Sequence, residues 1–263
     1  MTPFALIEGD SPVILGMPHG GSFVPDDVRG QLNDVGRGLT DTDWHIDRLY
    51  DGLLPGATVV RATFHRYVID ANRDPSGASL YPGQNTTGLV PETDFDGRPL
   101  WTVAPDAAEI ERRRLAFHAP YHAAVETQIA RLRARHKSVI FFDCHSIRSH
   151  IPFLFEGALP VFNIGTNNGA TCAPAVQDAV CEVVAAADGY SHVVNGRFRG
   201  GWSTRHYGRP EQGVHAIQLE LAQRAYMAES PPWTYDETKA QQLRQTLRRI
   251  LGRLVEVAPT LNP

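Results

Sequence analysis

The stretch SVIFFDCHS, residues 138–146, has the pattern of a buried strand followed by reactive side chains. Its apolar run, residues 139–142, has the length and the β-branched and aromatic character typical of a strand inside a sheet. The run ends abruptly at Asp143, Cys144 and His145. Polar residues at such a point either end the strand or lie where a sheet presents reactive groups. A cysteine nucleophile, a metal ligand and a plain core histidine are all open interpretations.

Similar apolar runs recur along the chain, separated by segments with helical spacing. Strands are predicted at residues 13–17, within 57–70, at 138–143, 159–166 and 191–195, and in GVHAIQLELA, residues 213–222. Helices are predicted at 40–54 with Thr40 or Asp41 as N-cap, over 106–136 with a break at Pro120, and at 173–187 and 236–256. Strands that alternate with helices predict an α/β fold, in which a mixed, mostly parallel central sheet is flanked by helices on both faces.

The length and composition predict one globular domain that spans residues 1–263. Of the 263 residues, 42% are apolar and 21% are charged, which is ordinary for a protein with a sizeable core. The formal charge is −4, whereas nucleic-acid binders usually carry a basic balance, so no nucleic acid is expected as a partner. No stretch approaches the roughly 20 apolar residues that span a bilayer, so no membrane association is expected either. The sequence does not predict an oligomeric state.

The three cysteines, Cys144, Cys172 and Cys181, form no CxxC pair and no even-numbered disulfide framework. Free thiols suit a reducing compartment. The first residues, MTPFALIEGDSPVILG, have no basic start and no long apolar core, so they do not have the pattern of a signal peptide. These observations predict a cytoplasmic protein.

Residues 74–105 form a long excursion rich in Gly, Pro, Asp and Thr. Loops of this length are uncommon in compact domains, and they often serve as lids or binding loops.

Several candidate chemistries find little support in the residues. Cys144 would need an imidazole within reach, but its neighbour His145 points to the opposite face of an extended strand, which favours a small core residue. Ser22 has no GxSxG elbow around it. The glycine-rich GRFRGG, residues 196–201, lacks the GK[ST] ending of a phosphate loop and more plausibly lets backbone or arginine approach a ligand closely.

The pair His118 and His122 has the HxxxH spacing of zinc ligands on one helix face. Pro120 lies between the two histidines, and no HExxH glutamate accompanies them. Surface or packing roles are therefore favoured for both.

Three other polar residues lie where strands end. His19 and His145 each follow an apolar strand, and Glu220 lies near the end of another. Ligands of open α/β sheets bind beyond the carboxyl ends of the strands, so the three groups can converge there. Two histidines and one carboxylate leave a position for water, as in catalytic zinc sites. The carboxylate would come from Asp43 or Asp47, one turn apart on one face of the predicted helix.

Glu220 lies between Leu219 and Leu221 in an apolar strand. An unpaired buried charge is strongly disfavoured, so the glutamate needs a partner or a function. We interpret it as the general base that activates a metal-bound water. Pairing with an arginine that stabilises the fold is the alternative.

Several segments together resemble the N-formylglutamate amidohydrolase (N-formylglutamate deformylase) family, which provides the last enzyme of one histidine-degradation route. The segments are MPHGGS, TDTDWHIDRLYD, RYVIDANRDP, DCHS and NGRFRGGWSTRHYGRPEQGVHAIQLELAQRAYM, and the resemblance runs from about Val13 to Met227. It implies a fold similar to that of zinc-dependent exopeptidases and amidases. It also implies one divalent metal ion as cofactor, with zinc as the expected ion.

The resemblance implies roles for single residues as well. It implies His19, Asp43 and His145 as metal ligands and Glu220 as the residue that activates water. The related peptidases carry a HxxE motif, whereas this chain has Ser22 at the position of that glutamate. The choice of Asp43 over the next aspartate of the helix therefore stays open.

The implied substrate is N-formyl-L-glutamate, a small amide with two carboxylates, which would be hydrolysed to formate and L-glutamate. Planar guanidinium groups match carboxylates bidentately, so arginines are the expected clamp. An arginine or His206 would also stabilise the oxyanion. The predicted substrate-binding residues are Arg66, Asn72, Arg73, Arg205 and His206, with Arg199 as a further candidate.

Two alternatives compete with this function. One is another amide hydrolase on the same scaffold, acting on N-acyl amino acids, on peptides in the manner of a carboxypeptidase, or on peptidoglycan. The other is a carboxylate-binding protein without turnover, in which the histidines are structural. Bound metal would argue against the second alternative, the binding protein without turnover.

Overall fold

The computed structural model describes residues 2–79, 83 and 85–262. Within these ranges the chain forms a seven-stranded sheet. The strands are β1 (Phe4–Ile7), β2 (Val13–Met17), β3 (Thr58–Ala62), β4 (Val139–Ile147), β5 (Phe162–Gly165), β6 (His192–Val194) and β7 (Val214–Ala222).

Helices connect and cover the strands. The α-helices are α1 (Asp26–Arg29), α2 (Asp34–Arg37), α3 (Ile46–Tyr50), α4 (Ala107–Arg113), α5 (Ala119–Arg133), α6 (Pro174–Ala185), α7 (Trp202–Tyr207) and α8 (Glu237–Val257). A π-turn, Arg114–His118, joins α4 to α5, and 3-10 helices occur at Pro210–Gln212, Gln223–Ala225 and Ala258–Thr260. Among the described residues, no helix combines the length and the apolar composition needed to cross a bilayer.

The sheet is mixed but mostly parallel, with the strand order β1-β3-β2-β4-β7-β5-β6. β2 runs parallel to β3 and β4, and β4 runs parallel to β7. β5 and β6 are parallel to each other but antiparallel to β7, and β1 is antiparallel to β3. The predicted α/β class is thus confirmed, while the similarity to zinc-dependent exopeptidases stays a prediction. The carboxyl ends of β2, β4 and β7 open onto one edge.

Side-chain alternation along β4 separates two faces of the sheet. Phe142 and Cys144 pack in a core shared with α6 and α8. Phe141 packs in a second core shared with α5 on the other face. Successive side chains of a strand point to opposite faces, so Asp143 and His145 share the face of Phe141. Burial raises the pKa of the Cys144 thiol well above its usual value, which argues against a nucleophile.

Strand β7 places Glu220 next to His145. The two residues are direct partners in the parallel β4–β7 pairing. Leu219 and Leu221 pack in the core with α6 and α8, so Glu220 points to the opposite face, where His145 lies. Both polar side chains are buried at the carboxyl edge of the sheet.

The helix predicted over residues 40–54 is much shorter in the structure. Only Ile46–Tyr50 is helical. His45 has a left-handed backbone conformation with φ of 60°, which is incompatible with a right-handed helix. The prediction of Thr40 or Asp41 as N-cap is therefore wrong, because His45 directly precedes the helix.

The break predicted at Pro120 is also wrong. α4, the π-turn and α5 follow one another without interruption over Ala107–Arg133. Pro120, the second residue of α5, lies inside this continuous helical segment and has no N–H to donate to the preceding turn.

The predicted excursion, residues 74–105, is described except for residues 80–82 and 84. Its described part contains no helix or strand and makes only isolated bridges, such as Thr93 with Pro99. Residues 85–87 reach the cleft discussed below.

Candidate active site

Side chains from three parts of the chain meet at the carboxyl edge of the sheet. His19 follows β2, His145 lies in β4, and Asp43 lies in the turn before α3. The Nδ1 atoms of the two imidazoles are 3.2 Å apart. Asp43 Oδ2 lies 3.4 Å from Nδ1 of His145 and 4.0 Å from Nδ1 of His19. All three side chains are buried, so three donor atoms face one small volume.

These separations fit a bound divalent ion. The donor atoms of the three residues lie within 4.8 Å of one another. Ligands at zinc distances of about 2.0–2.2 Å stand roughly 3.3–3.6 Å apart in a tetrahedron. Two imidazole nitrogens and one carboxylate oxygen are also a donor set of catalytic zinc sites, which keep the fourth position open.

Two further carboxylates orient the imidazoles. Asp70 Oδ1 lies 2.7 Å from Nε2 of His19, and Asp143 Oδ1 lies 2.9 Å from Nε2 of His145. An ionised carboxylate only accepts hydrogen bonds, so each Nε2 carries a proton and donates it. The Nδ1 atoms are then the ligand side of both rings. Carboxylates behind metal-binding histidines commonly fix tautomer and ring orientation in this way.

Asp43 is anchored through both of its oxygens. Arg66 Nη2 donates to Oδ1 at 2.7 Å, and the N–H of Ser146 donates to Oδ2 at 3.0 Å. Burial alone would raise the pKa of Asp43, but the charge of Arg66 and the nearby histidines lower it. Asp47 is 49% exposed and pairs with Arg61 at the surface. The expectation that the two aspartates share one helix face is wrong, because only Asp43 faces the histidines.

The electrostatics of the cluster favour one added cation. Burial, together with the charge of Arg66, lowers the pKa of His19 to about 4. Burial also opposes a charge on His145, but Asp143 and the hydrogen bond to Asp43 raise its pKa well above the usual value. One positive charge between the Nδ1 atoms therefore satisfies the site. A metal ion can supply that charge in place of a proton.

Glu220 lines the cleft beside His145. The side-chain amide of Gln218 donates to Glu220 Oε2 at 3.2 Å, and its Oε1 accepts the N–H of Gly201 at 2.7 Å. Burial raises the pKa of Glu220 to about 8, and the charge of Asp43 acts in the same direction. A carboxyl group with a pKa near neutrality is suited to proton transfer.

A cleft of about 610 Å³, counting the solvent at its mouth, opens above this cluster. His19, His145 and Glu220 are buried at its floor. Three guanidinium groups in one cleft make it suitable for an anionic ligand. Its walls include Arg66, Asn72, Arg73, Thr87, Arg197 and Phe198.

The three arginines are held differently. Arg66 lines the cleft and donates through Nη2 to Asp43, while its buried Nε–H has no acceptor among the described residues. Arg73 donates to the carbonyl and to Oγ1 of Thr87, both at 2.8 Å. Arg197 donates to two backbone carbonyls at the mouth of the cleft. Each guanidinium is therefore fixed in orientation by the fold.

Comparisons with known proteins agree on one family. The N-formylglutamate amidohydrolase family matches residues 11–227. An N-formylglutamate deformylase of Pseudomonas aeruginosa is 48% identical over 250 residues, which cover 94% of each chain. One of Pseudomonas putida is 47% identical over 251 residues, again with 94% of each chain covered. This chain belongs to the N-formylglutamate amidohydrolase family.

Two solved structures match this chain along almost its whole length. An N-formylglutamate amidohydrolase from Ralstonia eutropha JMP134 has a TM-score of 0.80 and 27% identity, with 99% of this chain and 98% of that one covered. A gene product of Agrobacterium tumefaciens has a TM-score of 0.74 and 19% identity, with 97% and 96% covered, and shares the fold. The predicted family and the prediction of a hydrolase are thus confirmed.

The fold of this chain does not bring every predicted substrate-binding residue to the cleft. His206 stacks on Trp202 and faces Glu126 through Nε2. Arg205 donates to the carbonyl of a preceding glycine. Arg199 is exposed. None of the three lines the cleft. Arg199 precedes α7, and the side of α7 that faces the interior carries residues other than Arg205 and His206. The buried residues of α7 are Ser203, Thr204 and Tyr207.

The HxxxH pair lies outside the cluster of His19, Asp43 and His145. His118 and His122 are buried, and each uses Nε2 toward a backbone carbonyl. The serine weighed as a nucleophile, Ser22, is exposed.

Four residues of the site escaped the sequence reasoning: Asp70, Asp143, Gln218 and Arg197. A signal exists for two of them. Asp143 precedes His145 by two positions on one strand, and Gln218 precedes Glu220 in the same way, so alternation places each pair on one face. Asp70 and Arg197 lie outside regular strands, where no periodicity shows which side chains turn inward.

Proposed function

We propose that this amidohydrolase hydrolyses N-formyl-L-glutamate to formate and L-glutamate. The observation that carries the proposal is the cluster of His19, Asp43 and His145 beside Glu220, at the floor of an arginine-lined cleft. The relatives named N-formylglutamate deformylase, at 48% and 47% identity, support the choice of substrate. The corresponding route is histidine degradation, and the cytoplasmic location expected from the sequence belongs to the same proposal.

His19, Asp43 and His145 would hold one divalent ion, with zinc as the expected ion. Such an ion, when bound, polarises the formyl carbonyl and lowers the pKa of the attacking water. Asp70 and Asp143 hold the two imidazoles with Nδ1 toward that position. The bond from Arg66 to Asp43 keeps the third ligand ionised.

Glu220 acts as general base and then as general acid. Its carboxylate takes a proton from the water as the oxygen attacks the formyl carbon. The carbon–nitrogen bond then breaks, and Glu220 returns the proton to the leaving nitrogen of glutamate. Gln218 orients the carboxylate through the hydrogen bond from its side-chain amide.

Arg66, Arg73 and Arg197, with Asn72, recognise the charged groups of the substrate. The positive charge of Arg66, which lines the cleft, stabilises either a substrate carboxylate or the oxyanion of the tetrahedral intermediate. Arg73 and Arg197 line the walls and offer bidentate contacts to carboxylates. Arg205 and His206, which lie outside the cleft, have no place in this proposal.

The test is a formate-release assay with substrates that differ by one group. N-formyl-L-glutamate is compared with N-formyl-L-alanine, which lacks the second carboxylate, and with N-acetyl-L-glutamate, which carries a larger acyl group. The proposal predicts the highest kcat/KM for N-formyl-L-glutamate and a bound metal near one ion per chain. A higher kcat/KM for another N-acyl amino acid or for a peptide would favour the competing amide hydrolase. Metal-free protein that binds carboxylates without turnover would favour a binding protein.

A further inference from the structure

The segment Asp70–Arg73 lies inside the protein without belonging to a helix or strand. Asp70 and Ala71 are fully buried and Asn72 is nearly so. Buried backbone groups need hydrogen-bond partners, and a segment without regular structure must obtain them from side chains. The side chains that bind the backbone N–H and C=O groups of this segment therefore fix its position.

The segment carries three contacts of the candidate active site. Asp70 accepts a hydrogen bond from Nε2 of His19. The amide of Asn72 lies 3.1 Å from the ring of His145. Arg73 lines the cleft. A shift of this backbone by a fraction of an ångström would therefore move Asp70, which orients His19, together with Arg73, which lines the cleft.

Side chains of the long helical segment bind the carbonyl oxygens of this backbone. Nε2 of His122 lies 2.8 Å from the carbonyl of Ala71, and Nε2 of His118 lies 3.1 Å from that of Arg73. The fully buried Arg113 donates in the same way to the carbonyl of Val68, at 3.3 Å.

The π-turn explains how Arg113, His118 and His122 face the backbone of residues 68–73. His118 and His122 are four residues apart, which is about one turn of an α-helix. Arg113 and His118 are five residues apart, which in an α-helix would place them roughly 140° apart around the axis. In a π-turn, hydrogen bonds run from i to i+5, so the same spacing spans one turn. The turn at Arg114–His118 thus aligns the three side chains.

The tautomer of His122 follows from its two partners. Its Nε2 faces a carbonyl, which only accepts, so this nitrogen carries the proton. Its Nδ1 accepts from the hydroxyl of Tyr207. Burial lowers the pKa of His122 well below its usual value, which keeps the ring neutral. The histidine is therefore a fixed donor to the backbone of Ala71.

We propose that His118 and His122 are positioning residues, which hold the backbone of Asp70–Arg73 so that Asp70 orients His19 and Arg73 faces the substrate. The inference rests on the proposed function for its effect on turnover. The HxxxH pair has the spacing of metal ligands. Its role here is indirect: it holds the backbone that carries Asp70, and Asp70 orients the proposed metal ligand His19.

The test compares His122→Asn with His122→Gln. Glutamine places its amide nitrogen close to the position of Nε2 and keeps the donor to Ala71, whereas asparagine is too short. Gln128→Asn on the same helix is the matched control, because Gln128 is also buried but contacts Glu8, away from the site. Three readouts are taken on folded protein: zinc affinity, kcat and KM for N-formyl-L-glutamate, and amide hydrogen exchange at residues 70–73.

We expect His122→Asn to weaken zinc binding and to lower kcat, each by about 10- to 100-fold, the usual effect of losing support behind a metal ligand. Exchange at residues 70–73 should become faster. His122→Gln should recover most of these losses, and Gln128→Asn should lower only the melting temperature. Equal behaviour of the Asn and Gln variants, or a match of both to the control, would overturn the proposal.

The result is separable from the proposed function. If the wild-type protein releases no formate, the proposed function fails, but zinc affinity and hydrogen exchange still test the positioning role. If His122→Asn does not fold, the pair His118→Asn and His118→Gln carries the same comparison at the carbonyl of Arg73, with the same outcomes.

Discussion

Two imidazoles that both donate from Nε2 and face each other through Nδ1 present two lone pairs, which a proton or a metal ion can bridge. His19 and His145 have this arrangement, and Asp43 completes it with a carboxylate oxygen. Asp70 and Asp143 occupy the opposite ring nitrogens, so neither ring can turn away. At the scale of single residues, the site is therefore a set of donor atoms that face one small volume.

The first prediction separates the two candidate carboxylate ligands. Asp43→Asn should lose bound metal and formate release, because it removes the charged ligand between the histidines. Asp47→Asn should keep both, since it loses only a surface pair with Arg61, worth ~0–1 kcal/mol. Metal content and kcat of the two purified variants are the measurement. Full metal in folded Asp43→Asn would refute this ligand set.

Replacing Glu220 tests the proposed base. Glu220→Gln keeps size and the contact with Gln218 but cannot accept a proton. We expect kcat to fall by ~10²–10⁴, the usual effect of losing a positioned general base, while metal content stays unchanged. Steady-state kinetics beside a melting curve distinguish this from a structural role. A variant with lower stability but normal kcat per folded molecule would remove Glu220 from the mechanism.

Arg73 is expected to contribute to substrate selection. Arg73→Ala should raise KM for N-formyl-L-glutamate by about 10- to 150-fold, which corresponds to the loss of a charged hydrogen bond of about 1.5–3 kcal/mol. The effect on N-formyl-L-alanine should be much smaller. Thr87→Val is the control, because it removes one anchor of the arginine but leaves its charge in the cleft. An equal rise of KM for both substrates would contradict selection of the second carboxylate by Arg73.

At the scale of elements, the packing of β2 against β4 holds the ligands in register. Gly16 in β2 lies against the ring of Phe141, so a Cβ at this position would overlap the ring. His19 follows β2 by two residues, and His145 lies four residues beyond Phe141 in β4. Spacing between these two strands therefore sets the distance between the imidazoles.

A glycine pair tests this packing. Gly16→Ala should lower the free energy of unfolding by about 1–3 kcal/mol, the usual effect of overpacking a core. Gly252→Ala should raise it by about 0.5–1 kcal/mol, because this glycine lies within α8 with open space around it and alanine favours the helix. Urea unfolding of both variants gives the two values. A stabilised or neutral Gly16→Ala would show that the ring of Phe141 moves aside without cost.

At the scale of the whole molecule, the site joins segments that are distant in the chain. His19, Asp70, His145 and Glu220 come from four segments of the fold. A cation held by His19, Asp43 and His145 only in the folded state should stabilise the whole chain, because binding to the native state alone shifts the folding equilibrium.

Chelation should therefore lower the melting temperature and abolish formate release. At a free metal concentration of 100 times Kd, the ion contributes about 2.7 kcal/mol. For a chain of this size, that is a shift of roughly 5–11 °C. Calorimetry with and without chelator gives the shift, and added zinc should restore both properties. Asp43→Asn is the control and should not respond to chelator. A wild-type protein with unchanged melting temperature and activity after chelation would contradict the metal proposal.

The sequence was sufficient for six of the seven strands and for part of the site, while β1 at the edge of the sheet was not predicted. Apolar runs with turn residues between them predict the strands, and the carboxyl ends of parallel strands share one edge, so His19, His145 and Glu220 could be expected together. This inference needs only local patterns, because strand alternation is a property of the backbone. The π-turn and the short α3 were not predicted, since both depend on how a helix packs.

Other features depend on contacts between distant parts of the chain. The left-handed conformation of His45 separates Asp43 from Asp47, and the burial of Asp43 against Arg66 gives only one of them a place at the histidines. Asp70 reaches His19, and Arg197 reaches the cleft, through segments without periodicity. Arg205 and His206 carry suitable chemistry, but the packing of α7 turns them away. Side-chain direction outside regular strands follows from tertiary packing, which no local pattern in the sequence encodes.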